Sequence, residues 1–292
     1  MTGALKRGTT LLALLFAIAG SIGVHAEPVQ LKPSLLHLNG NLELPPGKKM
    51  ADSEVLVIIH GMLSHFGQET IVALQKNLAQ RGRASLAINL SLGVDDRKGP
   101  RSCDVVHDYA IAGARREVAN WIEWLYAQHV RAVDILGFSR GGAQVAAMGP
   151  ELPTVRRMVL IAPSFATSAE IARAYEKTYG HALAPKLDEA RKAPLAKLTT
   201  DFLNCKQAPV LGATFLDAYA ELPPRLAAKT GHPTLVVIAG KDDVVVDLGS
   251  KLPTDVRKVT IDGSGHFFPD LYGEEAADAI AKFLTREQTP IK

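Results

Sequence analysis

The chain has 292 residues, 47% of them hydrophobic and 22% charged, enough to bury a full core as one large domain or as a domain with a sizeable insertion. Lys and Arg number 33 against 30 Asp and Glu, and Lys6 and Arg7 lie in the first 26 residues, so the remaining 31 basic residues almost balance the 30 acidic ones. That near-neutrality excludes general electrostatic attraction to nucleic acid or to an anionic membrane surface as the basis of function.

The first 26 residues read as a secretory signal. Lys6 and Arg7 precede an apolar run over residues 11–19, and Val24-His25-Ala26 supplies the small residues of a cleavage site before Glu27. An uncleaved anchor is the rival reading, because about 17 uncharged residues over 8–24 approach spanning length. Gly20, Ser21 and Gly23 interrupt that run, and no cysteine near the junction offers a lipid attachment point. The expected location is periplasmic or secreted, with no stable membrane insertion once the signal is removed. In such an oxidising compartment Cys103 and Cys205, both in polar, loop-like surroundings, are expected to pair; two free thiols are the alternative.

After the signal, the alternation in Leu36-His37-Leu38 and Leu42-Glu43-Leu44 around Asn39-Gly40 predicts a short antiparallel hairpin. Val55-Leu56-Val57-Ile58-Ile59 is a continuous aliphatic run, the pattern of a strand covered on both faces. Ile71, Leu74 and Leu78 predict a helix that stops at Gly82; residues 84–90 predict a strand. Val118, Trp121, Ile122 and Leu125 form the apolar stripe of a second helix, with the tryptophans read as core. Strands are expected at 133–136, 155–161, 234–239 and 256–261, and helices at 139–147 and 276–284. This alternation predicts an α/β fold with a mostly parallel sheet of about eight strands and helices on both faces, its site at the carboxyl ends of the strands. Residues 163–233 break the rhythm and read as a helical lid or cap, with helices at 168–179 and 187–197. The domain organisation is therefore a signal over 1–26 and one domain over 27–292.

Gly137-Phe138-Ser139-Arg140-Gly141 stands directly between a predicted strand and a predicted helix. That placement suits a strained turn that lifts a serine hydroxyl clear of the sheet, with glycines where strand and helix approach. A serine needs a base within reach and a group to orient that base. His266, in Gly265-His266-Phe267 just past the last strand, is the candidate base, and Asp242-Asp243, just past the strand at 234–239, holds the candidate acid. Isolated histidines at 37, 129, 181 and 232 show no metal-ligand spacing, and no phosphate-binding glycine loop is present, so neither a metal nor a cofactor is implied.

From these residues the chain resembles the α/β-hydrolase superfamily of serine esterases and lipases over about residues 36–284. The resemblance implies an α/β-hydrolase fold, a triad in the order Ser, Asp, His, and an acid three residues beyond the glycine, which points to Asp243 rather than Asp242. His60-Gly61-Met62 resembles that family's turn after its third strand; by resemblance the backbone N–H groups of Met62 and Arg140 form an oxyanion hole, and His60 is a turn residue. His65, His107 and Phe267 are further candidates for substrate contact. Phe202, Phe215, Tyr219 and Phe268 either line an apolar pocket or simply pack the lid. The implied function is an exported serine hydrolase that cleaves a small carboxylic ester or thioester through an acyl-enzyme. The alternatives are a peptidase or acylaminoacyl hydrolase, and a binding protein of the same fold without turnover.

Overall fold

The computed structural model describes residues 26–33 and 35–285. The signal reading, apart from Ala26, lies outside the described residues. Strand β1 (Ala26–Leu31) pairs antiparallel with β2 (Leu38–Glu43), and β2 runs antiparallel to β4 (Ala84–Ile88). The remaining neighbours, β3 (Glu54–Ile59), β5 (Ala132–Phe138), β6 (Val155–Ile161), β9 (Thr234–Ala239) and β10 (Arg257–Ile261), are joined by parallel ladders. The eight-stranded order is β1-β2-β4-β3-β5-β6-β9-β10, a mostly parallel sheet of the expected α/β-hydrolase kind.

Period-two alternation along each central strand divides two cores. Val55, Val57 and Ile59 of β3 and Val133 and Ile135 of β5 face one side, where α2 (Ile111–Ala127) and α3 (Arg140–Met148) pack. Leu56, Ile58, Leu136 and Phe138 face the other, against α1 (Glu69–Gln80) and the C-terminal helix over residues 271–285. Both faces are covered, which is why these strands read as unbroken apolar runs rather than as alternating ones.

Two expectations are corrected. Asn39-Gly40 is no turn: both residues lie inside β2, which runs straight through to Glu43. Glycine at position 40 allows close approach, since a Cβ there would sit 3.0 Å from the Leu86 side chain and 3.3 Å from that of Trp121, both of which would have to yield. The insertion over 163–233 is also not wholly helical. It holds α4 (Ser168–Tyr179) and α5 (Ala184–Lys192), then a two-stranded hairpin of β7 (Lys197–Phe202) and β8 (Cys205–Leu211), then α6 (Gly212–Ala218) and a 3₁₀ turn over Pro224–Ala228. Phe202, Phe215, Tyr175, Val210 and Leu183 give this insertion an apolar core of its own.

The insertion is fastened to the loop before α2. Cys103 and Cys205 form a disulfide across 102 residues, and the His107 N–H and C=O bond to Pro209 and Leu211, zipping that loop onto β8. Among the described residues no helix is long and apolar enough to cross a membrane.

Candidate active site

The chain leaves β5 at Phe138 and enters α3 at Arg140, so Ser139 alone makes the turn. Its backbone takes φ 54° and ψ −121°, a conformation strained for a residue with a Cβ and one that throws the side chain out of the sheet. Two glycines permit it: a Cβ on Gly137 would fall 2.4 Å from the Gly141 carbonyl oxygen, and one on Gly141 would fall 2.4 Å from that of His60.

His266, on the loop after β10, is 3% exposed and brings Nε2 to 3.0 Å from the Ser139 hydroxyl. Its Nδ1 lies 2.9 and 3.1 Å from the two carboxylate oxygens of Asp242. A carboxylate can only accept, so Nδ1 carries the proton and Nε2 is left to accept from the serine O–H. The carboxylate that meets His266 is thus that of Asp242 and not of Asp243, to which family spacing had pointed. The turn after Ala239 aims Asp242 inward to 4% exposure, where it also accepts from the N–H groups of Val244 and Val245 at 2.9 and 2.7 Å, and leaves Asp243 exposed to solvent. Burial alone would raise the Asp242 carboxyl; the bond to His266 and those two amides outweigh it and hold its pKa below the usual value.

The turn at 60–62 lies against the serine: a Cβ on Gly61 would contact Ser139 Cβ at 3.4 Å. The Met62 N–H has no backbone acceptor among the described residues, and Arg140, as first residue of α3, has no acceptor within the helix. Both amides are therefore free to receive an anionic oxygen beside Ser139. His60 is buried, donating from Nδ1 to the Gly61 carbonyl at 2.8 Å and accepting at Nε2 from the Leu90 N–H and the Arg97 guanidinium. Burial first, and the nearby Arg97 charge second, lower its pKa to about 3. It is a neutral tie between β3 and the loop after β4.

The three remaining candidates are placed differently. His107 is fully buried between Tyr109 and Phe202, with neither ring nitrogen bonded, and takes no part in lining the cavity at Ser139. Burial, reinforced by Arg101, lowers its pKa to about 4. His65 lies on the loop before α1, its Nδ1 accepting from the Gly67 N–H, and is likewise absent from the cavity wall. Phe267 stands half exposed with its ring edge-on to His266 at 5.1 Å, against the histidine and outside the wall.

A cavity of about 530 Å³ opens over Ser139. Its walls include Met62 and Arg140 from the scaffold, Glu170, Arg173 and Tyr179 from α4, Leu203 and Asn204 from the β7–β8 tip, Tyr219 after α6, and Val244 and Lys251 beyond β9. Most of these belong to the insertion and escaped the sequence reading, although the helical spacing of Glu170, Arg173 and Ala174 marks one shared face. Of the aromatic residues considered beforehand, Tyr219 reaches the cavity, while Phe202, Phe215 and Phe268 are buried packing. Among the described residues no group of three or more His, Cys, Asp or Glu is disposed to hold a metal.

Residues 56–283 match the model of the alpha/beta hydrolase family. No curated protein sequence matches the chain. Several solved structures share its fold. Est1E from Butyrivibrio proteoclasticus, solved with ferulic acid bound, is 20% identical with a TM-score of 0.64, covering 88% of this chain and 97% of its own. The Pyrococcus furiosus esterase Pf2001 is 13% identical with a TM-score of 0.59, covering 90% of each chain. The esterase domain of a Rhodothermus marinus protein is 15% identical with a TM-score of 0.56, covering 88% of this chain and 98% of its own.

Proposed function

The chain belongs to the alpha/beta hydrolase family, and from that premise we propose that it is an exported serine esterase working through Ser139, His266 and Asp242. The observation that carries the proposal is the bridge made by His266, with Nε2 at the hydroxyl of a strained Ser139 and Nδ1 on Asp242. His266 takes the serine proton as Oγ attacks the ester carbonyl, and the Met62 and Arg140 amides receive the oxyanion. Collapse of the tetrahedral adduct expels the alcohol, which takes its proton from His266. Water, deprotonated by the same imidazole, then releases the acid from the acyl-enzyme and restores Ser139. Asp242 keeps Nδ1 protonated throughout and balances the transient imidazolium. One good oxyanion donor of this kind lowers a barrier by about 3–4 kcal/mol.

Esters are favoured over peptides by the fold likeness to esterases, and the ferulic acid held by Est1E adds aromatic acyl esters to the panel worth testing. Residues 1–26 as an export signal agree with the Cys103–Cys205 disulfide, since such bonds persist in oxidising compartments. Cell fractionation locating the mature protein outside the cytoplasm tests that part; retention of residues 1–26 on a cytoplasmic protein refutes it.

The catalytic assignment is tested with a fluorophosphonate probe and short p-nitrophenyl esters. Wild type is expected to label and turn over, and Ser139→Ala to do neither. Labelling that survives in Ser139→Ala defeats the assignment.

A further inference from the structure

Arg140 follows the nucleophile, and its side chain is placed unlike that of an ordinary arginine. Arg140 is half-buried where the wall of the cavity over Ser139 meets that of a neighbouring cavity of about 920 Å³, and among the described residues its guanidinium makes one hydrogen bond, from Nη2 to the Ala218 carbonyl at 2.8 Å. Among the described residues no carboxylate lies within ion-pair distance of it; Asp217, which faces it together with Tyr109 and Tyr219, stands farther off and accepts from the Ile111 N–H. A guanidinium offers five N–H donors in a planar fork, so one with a single protein acceptor keeps most of its donors for a ligand or for water.

The other charges on the cavity wall do not cancel it. They are Glu170, Arg173 and Lys251. Glu170 is already engaged by Lys251 at 3.0 Å and by the Thr167 N–H and hydroxyl in the capping box of α4, which leaves Arg173 without an ion pair among the described residues. Two arginines thus share the wall of this cavity with Phe165, Tyr175, Leu222 and Val244, beside the polar Thr178 and Asn204. An apolar cleft with an excess of positive charge at its base is matched by an apolar ligand that ends in an anion.

We propose that the natural substrate is an ester carrying a free carboxylate, which the Arg140 guanidinium receives as the ester carbonyl reaches Ser139, with Arg173 adding charge at the cavity mouth. The inference rests on the serine-esterase reading of this same site. Arg140 would then serve twice, its backbone N–H toward the oxyanion and its side chain toward the distal carboxylate. A planar fork suits a carboxylate in a two-point contact, which a lysine cannot reproduce.

The experiment compares esters matched in length. On the acyl side, mono-p-nitrophenyl glutarate is set against p-nitrophenyl valerate; on the alcohol side, the butyrate ester of 4-hydroxybenzoate is set against phenyl butyrate. Wild type is expected to show kcat/KM about 10- to 100-fold higher for the charged member in one of the two pairs, the gain of a charge-assisted contact, and the pair that responds says which side of the ester bears the anion. In Arg140→Met that ratio should fall toward unity, with Arg140→Lys keeping part of it and Arg173→Gln losing a smaller part. Each ratio is taken within one protein, so a loss of folding or of the oxyanion amide lowers both esters together and leaves the ratio intact. A ratio near or below unity in both pairs for wild type, or a preference that survives Arg140→Met, overturns the proposal. The neutral esters keep the two readings apart: their Ser139-dependent turnover sustains the serine esterase even where the carboxylate preference is absent.

Discussion

Asp242 and Asp243 carry the same group one residue apart, and only the path of the backbone after β9 separates them. Lys241 N–H donates to the Ser264 carbonyl and Asp242 N–H to that of Ala239, a tight turn that directs the Asp242 side chain at the loop bearing His266. Asparagine at 242 preserves the shape but can present its amide N–H to Nδ1, which favours the wrong imidazole tautomer. Asp242→Asn is therefore expected to lower kcat by about 10⁴-fold, whereas Asp243→Asn, a surface change, should alter it by no more than about twofold. Steady-state kinetics on the two variants decides it; the opposite ranking would return the role to Asp243. The sequence held Ser139 and His266 in view because glycines at 137, 141 and 265 and the neighbouring apolar runs mark turns at strand ends. Choosing between adjacent carboxylates needed the turn's hydrogen bonds, since family spacing alone pointed to Asp243 whereas His266 bonds to Asp242.

Strands β3, β5, β6 and β9 could be read directly because each is enclosed by helices on both faces, which demands an apolar residue at nearly every position. The hairpin in the insertion could not. Lys197–Phe202 buries Leu198, Thr200 and Phe202 and leaves polar residues between them, a period-two signal too short and too polar to stand out against the helical stretches around it. The disulfide, together with the His107 backbone bonds to Pro209 and Leu211, holds that hairpin to the scaffold: Cys205 opens β8, Cys103 lies beside Arg101, and the Arg101 N–H donates to Leu63, next to Met62 at the site. Replacing both cysteines by serine frees a loop of 102 residues in the unfolded chain and is expected to cost about 4–5 kcal/mol in the chain-entropy model. Denaturant unfolding of the double variant checks this. Wild type in reductant should approach the same stability, and an unchanged midpoint in both would mean that the insertion is held by its apolar core alone.

Two buried histidines tie the stability of the whole fold to pH. His60 and His107 have pKa values of about 3 and about 4 in the folded protein, against about 6.5 in an unfolded chain. Between pH 6.5 and pH 4 the unfolded state therefore binds protons that the native state refuses, and stability falls as the pH drops through that window, by up to about 1.4 kcal/mol per pH unit for each group. Carboxylates held low, such as Asp242 and Glu170, contribute stability that is lost only at more acid pH, so they leave the interval from pH 7 to pH 5 to the histidines. Glu117 and Asp217, raised by burial, act in the opposite sense, since the folded state keeps their protons longer; they do so equally in a variant that spares them. The difference between wild type and His107→Phe isolates one imidazole. Phenylalanine fills much the same space between Tyr109 and Phe202 and removes two ring nitrogens that have no partner, so it should raise stability at pH 7 by about 1 kcal/mol. The variant should also lose less on acidification, by about 2 kcal/mol between pH 7 and pH 5, as measured by urea unfolding at each pH. Equal losses in the two proteins would show that His107 takes up its proton inside the folded molecule, with Arg101 or the loop before α2 moving to admit it.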